Sequence, residues 1–543
     1  MKTIFLFLIL FDFTFSQIDS LEEKNFEQLN SEEESIDFFE RKKISIHFRT
    51  RAIQNLQTEK EFSEKTYLGS KIKMLNQLSL NIDDLSCGIL LEKDKGEKKF
   101  NDFTSFYIEK IFFENFNATV GDYDIEFGEG LLLWKGFSFS KGENVLIPFK
   151  KNSRGILPHK SSDEINFFRG GSFNLKNETF NIGIFFSNKK VHGTVDSTNK
   201  ISGFNNVSYF RTTSELKYKN AISEKTFGLI LNYNYNKDLN FGISIFKNSF
   251  DKNFAFEKFG FEENSFFSSS LHFKHQTNIS KTKFEIAKSI DFSTIGNLEF
   301  FPTRNFNFIF SFRNYQSNFF APHGNSLSVT YDRKNEQGFY FGGEIKPIPK
   351  WKFFFYFDNF YFPNNSLKKK FSKNGFETLI GFETNKFQKI NLKFSTTQKI
   401  LFEEIEIKKL KFRFTFEYKP HKNLILKERF EVIKIIGSQS LVENGFLLYN
   451  DVSYKLSDNF FSSFRAIIFD TKSFDTKITQ LEKDVDGAVT LPFLYEKGIR
   501  WYLFLNYEML ENFLLQTKFA FTEFDSPIKN LSETVALQVE FKY

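Results

Sequence analysis

The 543-residue sequence contains one cysteine, Cys87. A single thiol excludes a disulfide scaffold and any cysteine-rich zinc or iron–sulfur site. Ten prolines and 28 glycines leave few linkers between small domains. One large architecture is therefore as open as the three or four ordinary domains that the length suggests. Charge of one sign is also lacking: 73 basic residues face 67 acidic ones, and nothing in that balance demands nucleic acid. Beyond residue 16 no stretch approaches the roughly 20 uncharged apolar residues of a membrane helix. No GxxxxGK[ST] or GxGxxG loop opens a helix, so nucleotide chemistry has no support. What is abundant is aromatic. Eighty phenylalanines and 19 tyrosines carry too much apolar surface for a chain that stays disordered in water.

The first 16 residues, MKTIFLFLILFDFTFS, place one lysine before an apolar stretch and a small residue. They are expected to act as an export signal cut between Ser16 and Gln17. Residues 17–43 are acidic, with Leu21, Phe26, Leu29, Ile36 and Phe39 spaced as on an amphipathic helix. They form the expected second segment and a possible periplasmic docking element. The third, 44–543, has a different character.

From residue 44 the hydrophobic period is two. Leu410, Phe412, Phe414, Phe416 and Tyr418 alternate with Lys411, Arg413, Thr415, Glu417 and Lys419. Phe227, Leu229, Leu231, Tyr233 and Tyr235 form a second such row, and Phe306 to Phe312 and Phe513 to Phe521 two more. In a strand, residues i and i+2 share a face, so each run has one apolar and one polar side. A soluble sandwich or propeller would turn the apolar side inward. A membrane barrel would turn it to lipid and line the lumen with the polar side.

Three features favour the barrel. The runs are about ten residues long, enough for a tilted strand to cross the hydrocarbon layer. Aromatic residues such as Trp351, Tyr418, Trp501 and Tyr507 stand near run ends, as interfacial girdles require. The last run, Val535, Leu537, Val539, Phe541 and Tyr543, alternates to a terminal aromatic residue. Such an ending resembles the strand by which outer-membrane proteins are recognised by the barrel assembly machinery. The fold class is therefore all-β, an antiparallel outer-membrane barrel of about 24 strands (22–26), with an even number because the ends must meet. Long polar segments near 141–162, 313–326 and 471–487 are expected as long loops or lumen inserts.

Several stretches go beyond alternation: GDYDIEFGEGLLLWKGFSFSK (121–141), RGILPHKSSDEINFFRGG (154–171), NYQSNFFAPHGN (314–325), NEQGFYFGGEIKPIPKW (335–351), FYFP (360–363) and 469–507. Together they resemble the large exported β-barrel proteins of Bacteroidetes-type bacteria that often carry N-terminal helix-hairpin-helix repeats. The resemblance covers essentially 44–543. It implies an outer-membrane barrel and no agreed substrate or reaction. The repeats themselves are missing, since Phe39–Lys43 runs straight into ISIHFRTRAIQNL (44–56). No nucleic-acid role follows.

The first of these blocks holds the candidate ligand-binding or lumen charge network. Asp122, Asp124 and Glu126 share one strand face, opposite Tyr123, Ile125 and Phe127, and Arg154, Asp163, Glu164 and Arg169 follow. Carboxylates and guanidiniums gathered in a lumen form ion pairs that stiffen the wall or hold a plug, or else bind a polar ligand. Histidines carry less. His272 and His275 point to opposite faces of a strand, and His47, His159, His192, His323 and His421 are isolated in sequence. Asp484, Asp486 and Gly487 begin like a calcium loop but lack its later ligands, and are expected in an exposed turn. Ser268, Ser270 and His272 share a face without making a catalytic triad. Lys368, Lys369 and Lys370 are expected in a polar loop. No metal or cofactor is expected.

A barrel of about 24 strands encloses a lumen too wide for wall side chains to fill. Water or a folded-in loop must occupy it. The leading expectation is a porin-like or gated channel for polar solutes in the outer membrane, surrounded by its lipid. The alternative is a plugged barrel that anchors loops or docks an envelope partner. An enzyme is the least supported reading.

Overall fold

The computed structural model describes residues 44–57, 59–113, 115–136, 140–205, 207–364, 374–387, 389–402, 406–437, 442–525 and 531–543. The expected signal, the acidic segment 17–43 and Lys368–Lys370 lie outside the described residues.

The period-two runs form one closed antiparallel wall of 24 strands, each paired with its neighbours in sequence around the ring. Closure joins the first strand, Ile44–Asn55, to the last, Leu531–Lys542, in the register His47↔Lys542 to Asn55↔Thr534. Ile46 and Tyr543 exchange two backbone hydrogen bonds of 2.8 Å at the seam. No strand edge is left unpaired at that seam, which removes the hazard of an open sheet. The strands run from nine residues, as in Leu85–Lys93, to 16, as in Glu406–His421. No described helix is long and apolar enough to cross a membrane.

Alternation determines which side is which. Phe227, Phe267 and Ile380 are 62%, 67% and 63% exposed on the outer surface, while the residues between them are buried inside. An outer face this apolar suits lipid, because burying each large side chain contributes about 1.5–3 kcal/mol.

The two rims differ. One has tight turns, such as Asp83–Asp84 between Ile72–Ile82 and Leu85–Lys93, and both chain ends of the described barrel meet there. The other rim carries the long connections, including 127–167, 192–221, 316–335 and 472–496. Short turns and long loops segregated in this way are the pattern of bacterial barrels, whose short turns are periplasmic.

Two of these long connections do not stay at the rim. The strand Phe116–Glu126 pairs with the wall strand Phe103–Phe112 only as far as Gly121 and then leaves it. Gly121 has φ +106, and a Cβ there would lie 2.3 Å from the Phe106 carbonyl oxygen. Only glycine fits that close approach. Beyond the bend, Tyr123–Glu126 pairs with Gly155–Pro158 inside the barrel. This corrects the expected two-faced strand at 121–127: Tyr123, Ile125 and Phe127 are as buried as Asp122 and Glu126, because neither face meets lipid or water.

Candidate functional site

The interior is a packed core over much of its depth. In the first insert, 127–154, Leu131, Leu132 and Leu133 with Val145, Leu146 and Phe149 pack on inward wall residues such as Ile230, Ile295 and Tyr340. A uniformly polar lumen, which period two alone suggests, is corrected here. Where an insert covers the wall, the inward side chains are apolar, since apolar surface against apolar surface removes both from water. The connection 316–335 closes over the same region: Trp134 N donates to His323 O at 2.8 Å and Asn325 N to Gly130 O at 2.8 Å. The expected polar segments 141–162 and 313–326 touch where Lys151 donates to Asn325 O.

Charged groups fasten this insert to the wall. Gly128 and Gly130 take φ +61 and +79, so the backbone curls its N–H groups toward one point. Glu285 from the wall fills it, accepting from Glu129 N at 2.7 Å and Leu131 N at 3.2 Å. Lys141 reaches Asp358 at 2.7 Å and Glu377 at 3.1 Å. Asp358 also takes Arg313 at 2.8 Å, and Arg313 takes Glu336 at 2.5 Å. Glu143 lies 2.9 Å from Lys393 and 3.3 Å from Arg413 and accepts from Ser395 at 2.6 Å. Burial alone would raise the Glu143 carboxyl, but Lys393, Arg413 and Arg429 together hold it well below its usual range. Lys151 donates to Glu129 O at 3.0 Å and to Asn325 O; burial pulls its ammonium down to about 7 against the pull of Glu129.

The second insert, 472–496, covers the opposite arc. Its short hairpin Ile478–Thr479 and Phe493–Leu494 packs on Ile433, Leu447, Ile467 and Phe469. Glu482 receives Arg500 at 2.6 and 2.8 Å and Lys518 at 3.0 Å, and Lys518 also reaches Asp484 at 3.0 Å. Gln480 bridges Arg429 and Glu431 at 2.9 and 3.0 Å. Asp486 N donates to Gln516 at 2.8 Å. The expected exposed turn at Asp484–Gly487 is therefore corrected. Only Gly487 is exposed, and both aspartates are tied to the inner wall because Lys518 and Gln516 face them across the lumen.

The residues singled out from sequence fall into separate pairs rather than one pocket. Asp122 takes Arg169 in a two-pronged pair at 2.6 and 2.8 Å, and Glu126 takes Arg154 likewise at 2.7 Å twice. Such paired hydrogen bonds use the planar guanidinium fully. His159 Nδ1 lies 2.8 Å from Asp124, and Lys135 pairs with Asp163. Glu164 stands apart, near Glu97, Glu92 and Asp94. Burial pushes its carboxyl up to about 9, with those three acids adding repulsion. Burial likewise raises Glu97 to about 7, although its bonds from Asp94 N and Phe210 N oppose this.

A pH effect follows. A carboxyl raised on folding contributes most stability below its ordinary value near 4.5 and loses it as pH climbs toward 9. Glu164→Gln is expected to gain about 1 kcal/mol at pH 8 and nothing at pH 4. Thermal unfolding of both proteins at the two pH values checks it; equal gains at both would contradict the cause.

Sequence reading missed the groups on the short-turn side of the inserts. Three hairpins there carry an inward glutamate hydrogen-bonded to an asparagine eight residues on: Glu109–Asn117 at 2.7 Å, Glu299–Asn307 at 3.0 Å and Glu383–Asn391 at 2.8 Å. The recurring eight-residue spacing across a turn was the available signal. These half-buried polar groups line the short-turn end of the interior.

Ser270 Oγ sits 2.8 Å from Ser244 Oγ and His272 Nε2 3.0 Å from Asn240, so no nucleophile–base pair forms along that face. Among the described residues no three metal-ligating side chains converge.

No protein-family profile matches the chain, and no curated protein sequence matches it. Solved structures similar to it include the siderophore receptor PirA from Pseudomonas aeruginosa, at 6% identity, with 92% of this chain and 80% of that one covered and a TM-score of 0.43. The copper transporter OprC is similar at 8% identity, 92% and 80% coverage and a TM-score of 0.47. OccK3 from Pseudomonas aeruginosa is similar at 11% identity, 59% and 90% coverage and a TM-score of 0.32. The barrel itself is established by this chain's own strand pairing.

Proposed function

We propose that the protein is a gated outer-membrane channel for polar solutes, closed at rest by its own inserts. The observation that carries this reading is the way the lumen is filled. Both inserts enter from the long-loop rim and are fastened to the wall by ion pairs and hydrogen bonds beside their apolar contacts, while the inward groups at the short-turn end are polar. Buried ion pairs contribute little net stability against well-packed apolar groups, yet they fix one arrangement and can be exchanged for another.

The apolar outer face supports residence in the outer membrane, and the seam strand ending at Tyr543 suits delivery by the barrel assembly machinery. The likeness of 121–171 and 469–507 to Bacteroidetes-type barrels agrees with this reading. The transported class is polar and small, because the short-turn end of the interior presents carboxylates and amides such as Glu299 and Asn307 rather than an apolar slot.

Liposome swelling with small sugars and amino acids tests the proposal. Lys141→Ala with Glu143→Ala removes two latches of the first insert and is expected to raise the swelling rate about tenfold, as loss of some 1.4 kcal/mol of closure implies. Unchanged swelling by a folded double variant would overturn it.

A further inference from the structure

The outer wall carries charge unevenly. On the strands Phe180–Val191, Ile222–Asn234, Leu239–Phe250 and Ser280–Lys288, the outward positions near the long-loop rim include Lys190, Lys225, Lys247 and Lys288, all exposed. The intervening strand Ser265–Gln276 offers Ser265, Phe267 and Ser269 there. No outward position on this half of the five strands is acidic, and none of the four lysines forms an ion pair among the described residues. The nearby loop residue Asp251 is already engaged by Lys252 and the Ser223 backbone. Lys497, at the same rim elsewhere, instead has Asp525 at 2.9 Å.

The lysines sit at one height. Cross-strand pairing carries Tyr233, near a short turn, through Phe241 and Phe312 to Val442 at the opposite rim, a climb of about one residue per strand. The lysines descend against this tilt. Lys225 lies opposite Ser249, two residues above Lys247, and Lys288 opposite Ser269, two below the Phe267 that faces Lys247. The net spread in height is about two residues, or some 5 Å. Directly below them lie the outward Phe186, Phe227, Ile245 and Leu271, and Phe267 stands level with Lys247. Lys247 Nζ lies 5.6 Å from the centre of the Phe267 ring and Lys288 Nζ 5.1 Å from that of Phe292.

We infer that this face binds a multiply phosphorylated, multiply acylated lipid of the leaflet at the long-loop rim, with its phosphates on Lys190, Lys225, Lys247 and Lys288 and its chains on the apolar face below. Four cations without carboxylate partners above an exposed apolar surface complement an amphiphile with an anionic head. Neither free phosphate, which gains nothing from the apolar face, nor an uncharged lipid uses both halves. The inference rests on the reading of the outer wall as membrane-facing.

The test uses the full chain in detergent, with hexa-acylated bisphosphoryl lipid A, its dephosphorylated counterpart and inorganic phosphate as probes for native mass spectrometry. The wild type is expected to hold the phosphorylated lipid. The variant K190Q/K225Q/K247Q/K288Q should bind it more weakly by about tenfold or more, given the value of each surface cation near anionic lipid. A control, K110Q/K408Q/K434Q/K497Q, should stay within about twofold, because those lysines do not form one row. Equal binding of both lipids, equal losses in the two variants, or binding of inorganic phosphate as strong as of lipid would each overturn the inference. Heat-modifiable migration and insertion into vesicles are scored for every variant. A wild type that folds but does not insert overturns the membrane reading itself, whereas one that inserts but fails to discriminate overturns only the lipid site.

Discussion

Glu482→Ala is expected to cost about 3–5 kcal/mol and to free the second insert from the wall. Its carboxylate is fully buried and holds Arg500 through two oxygens while also taking Lys518. Removing it leaves two buried cations facing each other, and Asp484 can neutralise only the Lys518 side. The barrel wall itself keeps its backbone ladder, so the loss concentrates in 472–496. Limited proteolysis of the refolded protein should cut this segment many times faster than in the wild type, with the 24-strand barrel still migrating as folded. Uniform resistance would mean that the hairpin's apolar contacts with Ile433, Leu447 and Ile467 hold the insert without the charges. Arg500→Met with Glu482→Leu, Lys518→Met and Asp484→Asn should recover most of the loss, since uncharged replacements of a whole buried network are close to neutral.

Gly121→Val is the second large effect, and it acts on the first insert. A left-handed backbone with a β-branched side chain costs about 1–3 kcal/mol. The added Cβ would also meet the Phe106 carbonyl oxygen at 2.3 Å, so the strand must shift. Together these should exceed about 3 kcal/mol. The strand would continue along the wall instead of bending inward, and Asp122, Tyr123 and Glu126 would lose their interior partners. Loss of protection in 127–154 by hydrogen exchange, with the seam at His47–Asn55 still protected, is the expected signature. Protection lost everywhere would mean that the bend is needed to close the barrel itself.

The wall was legible because each strand states its own pattern. Phe412, Phe414 and Phe416 against Lys411, Arg413 and Thr415 need only a period of two to be assigned, and the run from Val535 to Tyr543 marks the closing strand without reference to any other. The interior was legible in part. Asp122, Glu126, Arg154 and Arg169 lie within 50 residues of one another, so their gathering shows as a polar block. Gly121 hid the inward turn, because an alternating Tyr123-Asp124-Ile125-Glu126 reads the same on the wall as off it. Leu131–Leu133 gave a signal that alternation could not accommodate, three apolar residues in succession after two glycines. The latches had no local signature. Lys141 meets Asp358, and Glu143 meets Arg413, across more than 200 residues, and only the closed ring brings them together. The expected polar lumen failed for the same reason: inward positions such as Ile295 and Leu447 are apolar because of an insert that comes from elsewhere in the chain.

Recording from single barrels in a planar bilayer tests the central claim, that inserts close a channel. The full chain should be silent or open only briefly, while a variant with 128–153 and 473–495 each replaced by a short Gly-Ser linker should conduct steadily. Both must first show heat-modifiable migration as folded barrels. Steady conduction by the full chain at the level of the deletion variant, or silence of the folded deletion variant, would contradict the account.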